Sequence, residues 1–270
     1  MALIDSTLFD LGTLDTLAGG QSSIHRLDPR AKLITTLVFV ATVVSFGKYE
    51  ISALLPFLLF PLVLLHAAEL PAGMLLKKLL LAAPFALFIG LFNPLLDRQI
   101  LLQIDALQIS AGWVSFVSIL LRFTLTILAV LILIATTSFP GICLAAERLG
   151  APRLFTLQLL FMYRYLFVLI DEASRMLRAR ALRSFDGRGM GLKVAGNMAG
   201  QLLLRTLDRA QRIHQAMLCR GFSGEIHLLR PGCFGGREIL FTLGWSTCFL
   251  LLRFVHLPRI VGGLITELLR

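Results

Sequence analysis

Residues Ala111–Thr137 read AGWVSFVSILLRFTLTILAVLILIATT and form the longest apolar run of the chain. The run exceeds the roughly 20 residues that a helix needs to cross a bilayer. Hydrophobic residues make up 57% of the 270 residues, above the roughly 45–50% of soluble domains. Because water could not cover so much apolar surface, the composition predicts an integral membrane protein.

Apolar segments on both sides of this run are further candidate spans. They are residues 33–46, 51–68 and 79–92 before it and residues 238–255 after it. Pro56 and Pro61 interrupt the second segment, which we expect to be kinked or short. Residues 95–110 carry charges on an alternating apolar background, which suits an external loop or a short hairpin. The sequence therefore predicts an all-α polytopic protein with about five transmembrane helices.

The first span is preceded by the sequence LDPRAKL, residues 27–33. Asp28 can accept hydrogen bonds from the free N–H groups of a helix start, and Pro29 suits the first helical position. We expect the basic side chains around this entry to lie at the level of the lipid headgroups: Arg26, Arg30 and Lys32.

An arginine-rich segment over residues 139–236 separates an N-terminal membrane region, 1–138, from a last span and tail, 237–270. With the N-terminus inside, this segment and the basic residues near the first and third spans fall on one side. The positive-inside rule then makes the N-terminus and the segment cytoplasmic. The formal net charge of +10 accordingly indicates contact with acidic lipid or acidic partners. Basic and aromatic residues do not interleave as they do in single-strand binders, so we expect no nucleic acid.

The arginine-rich segment contains a helical pattern that predicts amphipathic helices. A short helix over 142–149 is closed by Gly150, and a long one runs from 153 to about 184. The first half of the long helix is apolar, whereas its second half projects charges, including Asp171, Glu172 and Arg175. Asp171 and Arg175 have the favourable i,i+4 order for an ion pair. After a glycine-containing turn, a second long helix is predicted over 192–219, with Gly221 as its C-terminal cap.

The two long helices have similar endings. One closes with MLRARALRS, residues 176–184, and the other with AMLCRGF, residues 216–222. Arg183 and Arg220 thus lie in or next to last turns, where the helix dipole favours cations. They could merely cap their helices or contact lipid phosphate. The repeated ending favours a forked pair of arginines offered to an acidic groove on a partner.

Sequence motifs for catalysis are absent. The run 187–191 is no nucleotide loop, since no Gly-Lys-Ser/Thr follows it, and the chain has no Walker A sequence. The five histidines and four cysteines show no ligand-like or CxxC spacing. We expect no catalytic residue, no metal site and no cofactor in this chain.

Arg122 interrupts the longest apolar run and is a functional candidate for that reason. The alternatives are that its side chain reaches toward the external surface or pairs with Asp97 or Asp105. The sequence does not decide among these interpretations.

With these residues in place, the chain resembles the transmembrane (T) component of energy-coupling-factor importers, most closely the CbiQ type of cobalt systems. The resemblance is carried by the entry motif with Asp28, Pro29 and Arg30, by DEASR at 171–175, and by the two arginine endings. The family's short motifs are typically Ala-Arg-Gly. Here they read Leu182-Arg183-Ser184 and Cys219-Arg220-Gly221, so the arginines keep the pattern in both.

The resemblance implies that the amphipathic helices are crossed coupling helices whose end arginines dock into grooves of two ATPase subunits. It implies a CbiO-like ATP-binding cassette dimer that binds ATP and Mg²⁺, a small CbiM-like substrate-binding membrane subunit, and an accessory CbiN-like one. The chain would be a non-catalytic, multi-pass subunit of a bacterial cytoplasmic (inner) membrane.

The cargo implied by the resemblance is cobalt, with nickel or a vitamin such as biotin left open. Two other classes are disfavoured by the residues themselves. A lipid-head-group enzyme lacks paired carboxylates in the basic segment, and a secondary transporter lacks an evident inverted repeat.

Overall fold

The computed structural model describes residues 17–96, 100–104, 107–183, 191–222 and 235–254. Within these ranges the regular structure is helical apart from one two-stranded hairpin. The helices are α1 Pro29–Val44, α2 Ile51–Leu54, a 3₁₀ turn Leu55–Leu58, α3 Leu59–Ala67, α4 Ala72–Leu96, α5 Ala111–Thr137, α6 Phe139–Arg148, α7 Arg153–Arg183, α8 Leu192–Cys219 and α9 Gly236–Phe254. The predicted class is confirmed: the chain is an all-α polytopic membrane protein.

The chain forms two compact units. The first unit comprises Met1–Ala145 together with Gly232–Arg270, and the second comprises Ala146–Pro231. The first unit contains α1 to α5 and α9, and the second contains α7 and α8. Each unit is described by itself below.

Helix α1 begins as the sequence predicts. The Asp28 side chain accepts a hydrogen bond from the backbone N–H of Arg30 at 2.9 Å, and Pro29 takes the first helical position. At 16 residues, α1 is about 24 Å long at 1.5 Å per residue. It is therefore shorter than the roughly 30 Å hydrocarbon core of a bilayer.

The core of the first unit is a cluster of phenylalanines from three parts of the chain. The Phe39 ring of α1 lies 4.7 Å from Phe60 and 5.2 Å from Phe249 between ring centroids. Phe60 and Phe249 are themselves 5.0 Å apart and meet edge to face, an arrangement that aromatic pairs prefer. Since all three rings are at most 1% exposed, they hold α1, α3 and α9 together.

Helices α4 and α5 pack closely and are linked by the hairpin. An added Cβ at Gly90 would lie 2.8 Å from the Phe116 ring, so a larger residue would force the ring or the helix to move. Strands β1 Ile100–Ile104 and β2 Leu107–Ser110 pair antiparallel between the two helices, with Gln103 opposite Gln108. The segment predicted as a loop or hairpin therefore forms a hairpin.

Three helices of the described chain are long and apolar enough to cross a membrane: α4 over Ala72–Pro94, α5 and α7. Residues Ile51–Ala67 form a shorter apolar stretch, broken by the 3₁₀ turn that contains Pro56. The third and fourth predicted spans correspond to α4 and α5. Helix α7 was not among the predicted spans, because the sequence analysis placed it among the amphipathic helices. The total of about five spans stays a prediction.

Candidate functional site

The second unit is built on α7, whose composition changes along its length. Its first half exposes large apolar side chains, with Leu154 80% and Phe155 60% exposed. Its second half carries the predicted charges Asp171, Glu172 and Arg175 and ends at Arg183. The first half of α7 can thus lie against apolar surroundings, while its C-terminal half presents charges.

Glu172 joins α7 to α8 through two ion pairs. Its Oε1 lies 2.7 Å from Arg205 Nη1 on α8, and its Oε2 lies 2.7 Å from Arg175 Nη2, one turn away on α7. The sequence analysis paired Arg175 with Asp171 at i,i+4, whereas the structure records the i,i+3 pair with Glu172. The second cation from α8 explains the difference, because one carboxylate placed between two guanidinium groups satisfies both.

Helices α7 and α8 run antiparallel. Phe161 near the start of α7 shares a cavity with Met217 near the end of α8. Glu172 contacts Arg205, and Arg183 at the end of α7 shares a groove with Val194 at the start of α8. The two helices therefore form a hairpin with its closed end near Arg183.

The groove near this closed end is basic. It has a volume of about 590 Å³ and is lined by four arginines and one carboxylate. These charged residues are Glu172, Arg175, Arg180, Arg183 and Arg205. Guanidinium groups bind carboxylate and phosphate oxygens with paired hydrogen bonds, so this groove can bind an acidic ligand or an acidic protein segment.

The end of α8 is closed by a two-bond glycine cap. The Gly221 N–H donates to the Leu218 carbonyl and the Phe222 N–H to the Met217 carbonyl, both at 3.0 Å. Gly221 has φ of +77°, as a Schellman motif requires of the residue after the cap. This confirms Gly221 as the predicted cap. Arg220 is thereby held at the helix terminus with its side chain exposed.

An apolar groove of about 380 Å³ lies between the helices at the open end of the hairpin. Aromatic and aliphatic side chains line it, including Phe161, Tyr165, Leu207 and Met217. Phe222 also lines this groove, because the glycine cap turns the chain back and the Phe222 N–H bonds to the Met217 carbonyl. The hairpin thus presents a basic groove at one end and an apolar groove at the other.

Arg183 and Arg220 occupy opposite ends of the helix pair. Arg183 lies near Val194, and the chain rises about 39 Å from Val194 to the cap residue Arg220 of α8 at roughly 1.5 Å per residue. One acidic groove on a partner cannot receive both side chains, so the forked pair expected from the sequence is replaced by two separate cationic ends. Leu182, 85% exposed, and the exposed Cys219 flank the arginines, while Ser184 lies outside the described residues.

The entry motif of the first unit holds a buried lysine. Lys32, only 5% exposed, donates from Nζ to the Thr136 carbonyl at 2.8 Å. Lys32 is therefore buried within the protein, while its position at the level of the lipid headgroups stays a prediction. Its ammonium is buried against the last turn of α5, where the helix dipole favours a cation. Arg30 remains at the surface, 3.9 Å from the Asp28 carboxylate.

Arg122 binds the turn that follows α1. Its Nη2 donates to the Gly47 carbonyl. Arg253 of α9 acts on the same turn, donating to the Ser45 carbonyl at 3.1 Å and lying 4.5 Å above the Phe46 ring. The turn thus receives one arginine from each of two helices. Asp97 and Asp105, the other partners considered for Arg122, lie outside the described residues.

In the part of the chain that the structure describes, no three His, Cys, Asp or Glu side chains are grouped so that they could hold a metal ion. Cys143, Cys219 and Cys248 are free thiols, and Cys233 falls outside the described residues.

Comparison with known proteins identifies the family. The model of the cobalt transport protein family CbiQ matches residues 20–228. The match includes the entry motif, both helices of the hairpin, α7 and α8, and the arginines Arg183 and Arg220. The chain belongs to the CbiQ family. It is a transmembrane (T) component of energy-coupling-factor transporters.

Relatives named EcfT and CbiQ agree with this family. An EcfT, the energy-coupling factor transporter transmembrane protein of Bacillus subtilis, is 29% identical over 76% of this chain and 82% of its own length. An uncharacterised protein of Methanocaldococcus jannaschii is 27% identical over 77% of this chain and 74% of its own. The cobalt transport protein CbiQ of Salmonella typhimurium is 34% identical over 37% of this chain and 45% of its own.

Proposed function

We propose that this T component is the coupling and scaffold subunit of an ATP-driven cobalt importer. Its coupling-helix domain, residues 139–236, lies between membrane regions 1–138 and 237–270. That domain carries motion from a CbiO-like ATPase dimer to a small CbiM-like membrane subunit that binds the substrate, with a CbiN-like subunit as accessory. ATP and Mg²⁺ bind to the ATPase dimer, and this chain breaks no bonds itself.

The observation that carries the proposal is the pair of cationic ends on one braced helix hairpin. Arg183 and Arg220 are exposed at opposite ends, which suits two grooves on two ATPase subunits. The Glu172–Arg205 contact ties the helices between those ends. A displacement at either arginine is therefore passed on to both helices. Each arginine would donate charge-assisted hydrogen bonds worth about 1.5–3 kcal/mol to acidic or carbonyl groups of the partner.

Charge reversal at the two ends tests the coupling role. In proteoliposomes containing the assembled transporter, Arg183→Glu and Arg220→Glu should each reduce cobalt uptake per ATP hydrolysed at least tenfold, since a repelled carboxylate replaces a binding cation. Membrane insertion and yield of the chain should stay unchanged. The measurement is uptake of radioactive cobalt alongside phosphate release from the same vesicles.

Arg178→Glu is the matched control. It makes the same charge change on the same helix, at an exposed arginine five residues before Arg183. The control should keep normal coupling. If all three variants lose coupling equally, or if the two end variants lose only expression and remain coupled, then the arginines are not docking groups and the proposal fails.

The same vesicles define the cargo and the partners. Cobalt uptake that is inhibited by excess cobalt, and not by nickel or biotin, supports the cobalt assignment over a nickel or vitamin importer. A mild-detergent pull-down of the tagged chain should also recover an ATPase with Walker motifs and a small hydrophobic subunit. We place the complex in the bacterial cytoplasmic membrane, with the N-terminus and the coupling-helix domain on the cytoplasmic side.

A further inference from the structure

A cleft in the first unit has the form of a lipid site. It has a volume of about 770 Å³ and lies between the segment before α1, residue Leu59, and helix α9. This volume falls within the roughly 300–1,000 Å³ of protein ligand pockets. None of the residues placed in the coupling machinery lines it.

The cleft is basic at one end and apolar along its length. Arg26 and Arg237 both line it, and both are exposed. Among the described residues, neither forms an ion pair with the protein. Glu238, the carboxylate of the lining, already accepts a hydrogen bond from the Gly235 N–H at 3.0 Å. The charged end therefore has a net positive charge available to a ligand.

The apolar part follows one face of α9. Phe241, Gly244, Trp245 and Cys248 line the cleft at the i, i+3, i+4 and i+7 spacing of a single helix face. From Arg237 to Cys248 the helix rises about 16 Å, which matches the roughly 15 Å of hydrocarbon in one leaflet. If the phosphate of a phospholipid lies at the two arginines, the acyl chain of that lipid would end near Cys248.

We propose that this cleft binds one anionic phospholipid of the phosphatidylglycerol type. Arg26 and Arg237 bind the phosphodiester, and one acyl chain lies along Phe241, Gly244 and Trp245. A net positive headgroup end favours a lipid with one negative charge over zwitterionic phosphatidylcholine or phosphatidylethanolamine. The proposal depends on the chain being a membrane protein and is independent of its coupling role.

Quenching of Trp245 tests the proposal in the full chain. The chain has two tryptophans, and Trp113→Phe leaves Trp245 as the reporter in the cleft. The protein is reconstituted in phosphatidylcholine vesicles with increasing amounts of dibromo-phosphatidylglycerol or, separately, dibromo-phosphatidylcholine. Half-maximal quenching should require about fivefold less of the anionic lipid, given roughly that gain for one cation at a membrane surface. With Trp245→Phe, the remaining Trp113 should be quenched equally by both.

Variants locate the binding site. Arg26→Gln and Arg237→Gln should each raise the half-quenching fraction of the anionic lipid about fivefold, whereas Lys77→Gln, at an exposed lysine of α4, should not. Gly244→Leu should abolish the preference for the anionic lipid. A Cβ at Gly244 meets no atom within 4 Å, so the new side chain fills the cleft without displacing protein.

Four results would overturn the proposal. Equal quenching of Trp245 by both brominated lipids would mean an ordinary lipid boundary. An equal effect of Lys77→Gln would mean attraction to the surface as a whole. No quenching by either lipid, or an unchanged preference in Gly244→Leu, would mean that protein occupies the cleft.

Discussion

At the residue scale, Gly221 determines how Arg220 is presented. Its φ of +77° lies in the left-handed region, where a side chain costs about 1–2 kcal/mol. An added Cβ there meets no atom within 4 Å, so the cost of a substitution would come from the backbone alone. The glycine is therefore required by the cap and not by crowding.

Replacing two glycines of the same region should have opposite effects. Gly221→Ala should weaken the last turn of α8 by about 1 kcal/mol and speed amide hydrogen exchange there about fivefold. Gly200→Ala, at an equally open position inside α8, should stabilise the helix by about 0.5–1 kcal/mol and slow exchange. Exchange mass spectrometry of the peptides of α8 measures both. A change of the same sign in both variants would contradict the assigned cap.

At the element scale, single polar contacts fix the relative directions of the helices in the first unit. Lys32 joins the start of α1 to the end of α5, while Arg122 and Arg253 join α5 and α9 to the turn after α1. Consequently α1 runs antiparallel to α5 and parallel to α9. Apolar packing alone would allow these helices to slide, whereas a buried ammonium with one carbonyl partner specifies the register.

Lys32→Met should lower the stability of the first unit. The substitution keeps a long side chain but leaves the buried Thr136 carbonyl without its donor, at a cost of about 1–3 kcal/mol. The thermal unfolding midpoint of the detergent-solubilised chain should fall accordingly. Lys77→Met removes an exposed lysine and should leave the midpoint unchanged. A Lys32→Met protein as stable as the parent would show that the contact contributes nothing.

Some helix boundaries were predictable from the sequence because their signals are local, whereas the span predicted over 79–92 is part of the longer helix Ala72–Leu96 and the helix predicted over 142–149 is Phe139–Arg148. Residues 111–137 and 192–219 were predicted as observed, and the helix predicted over 153–184 ends at Arg183. Pro152 and Gly221 mark where these helices start and stop.

Contacts between elements were not predictable. Lys32 and Thr136 are 104 residues apart, and Glu172 and Arg205 are 33 apart. Only the packing of whole helices brings such pairs together.

At the scale of the whole molecule, the first unit has two distinct ends. Lys32, Asp28 and the start of α9 lie toward one end, and the turn held by Arg122 and Arg253 lies toward the other. The exposed basic residues Arg26 and Lys77 and the partly buried Arg30 belong to the segments near helix starts that the proposed topology places inside. The distribution of charge and the helix directions are therefore consistent with an N-terminus on the cytoplasmic side.

Thiol labelling of intact cells tests that topology. In a cysteine-free chain, Lys48→Cys, at an exposed position of the turn after α1, should react with a membrane-impermeant maleimide. Lys77→Cys, also exposed, should react only after the membrane is permeabilised. Labelling is measured by the mass shift of the purified chain. The reverse pattern would invert the proposed orientation.

The separation of Arg183 and Arg220 along the helix hairpin has a thermodynamic consequence. In the proposed complex the two arginines contact one ATPase dimer, so the first docking contact would hold the second arginine close to its own groove and raise its effective concentration there. A chain that keeps one intact arginine would then bind with the affinity of that single contact and lose the gain from simultaneous attachment. Assembly could accordingly proceed one ATPase subunit at a time, through a half-attached intermediate.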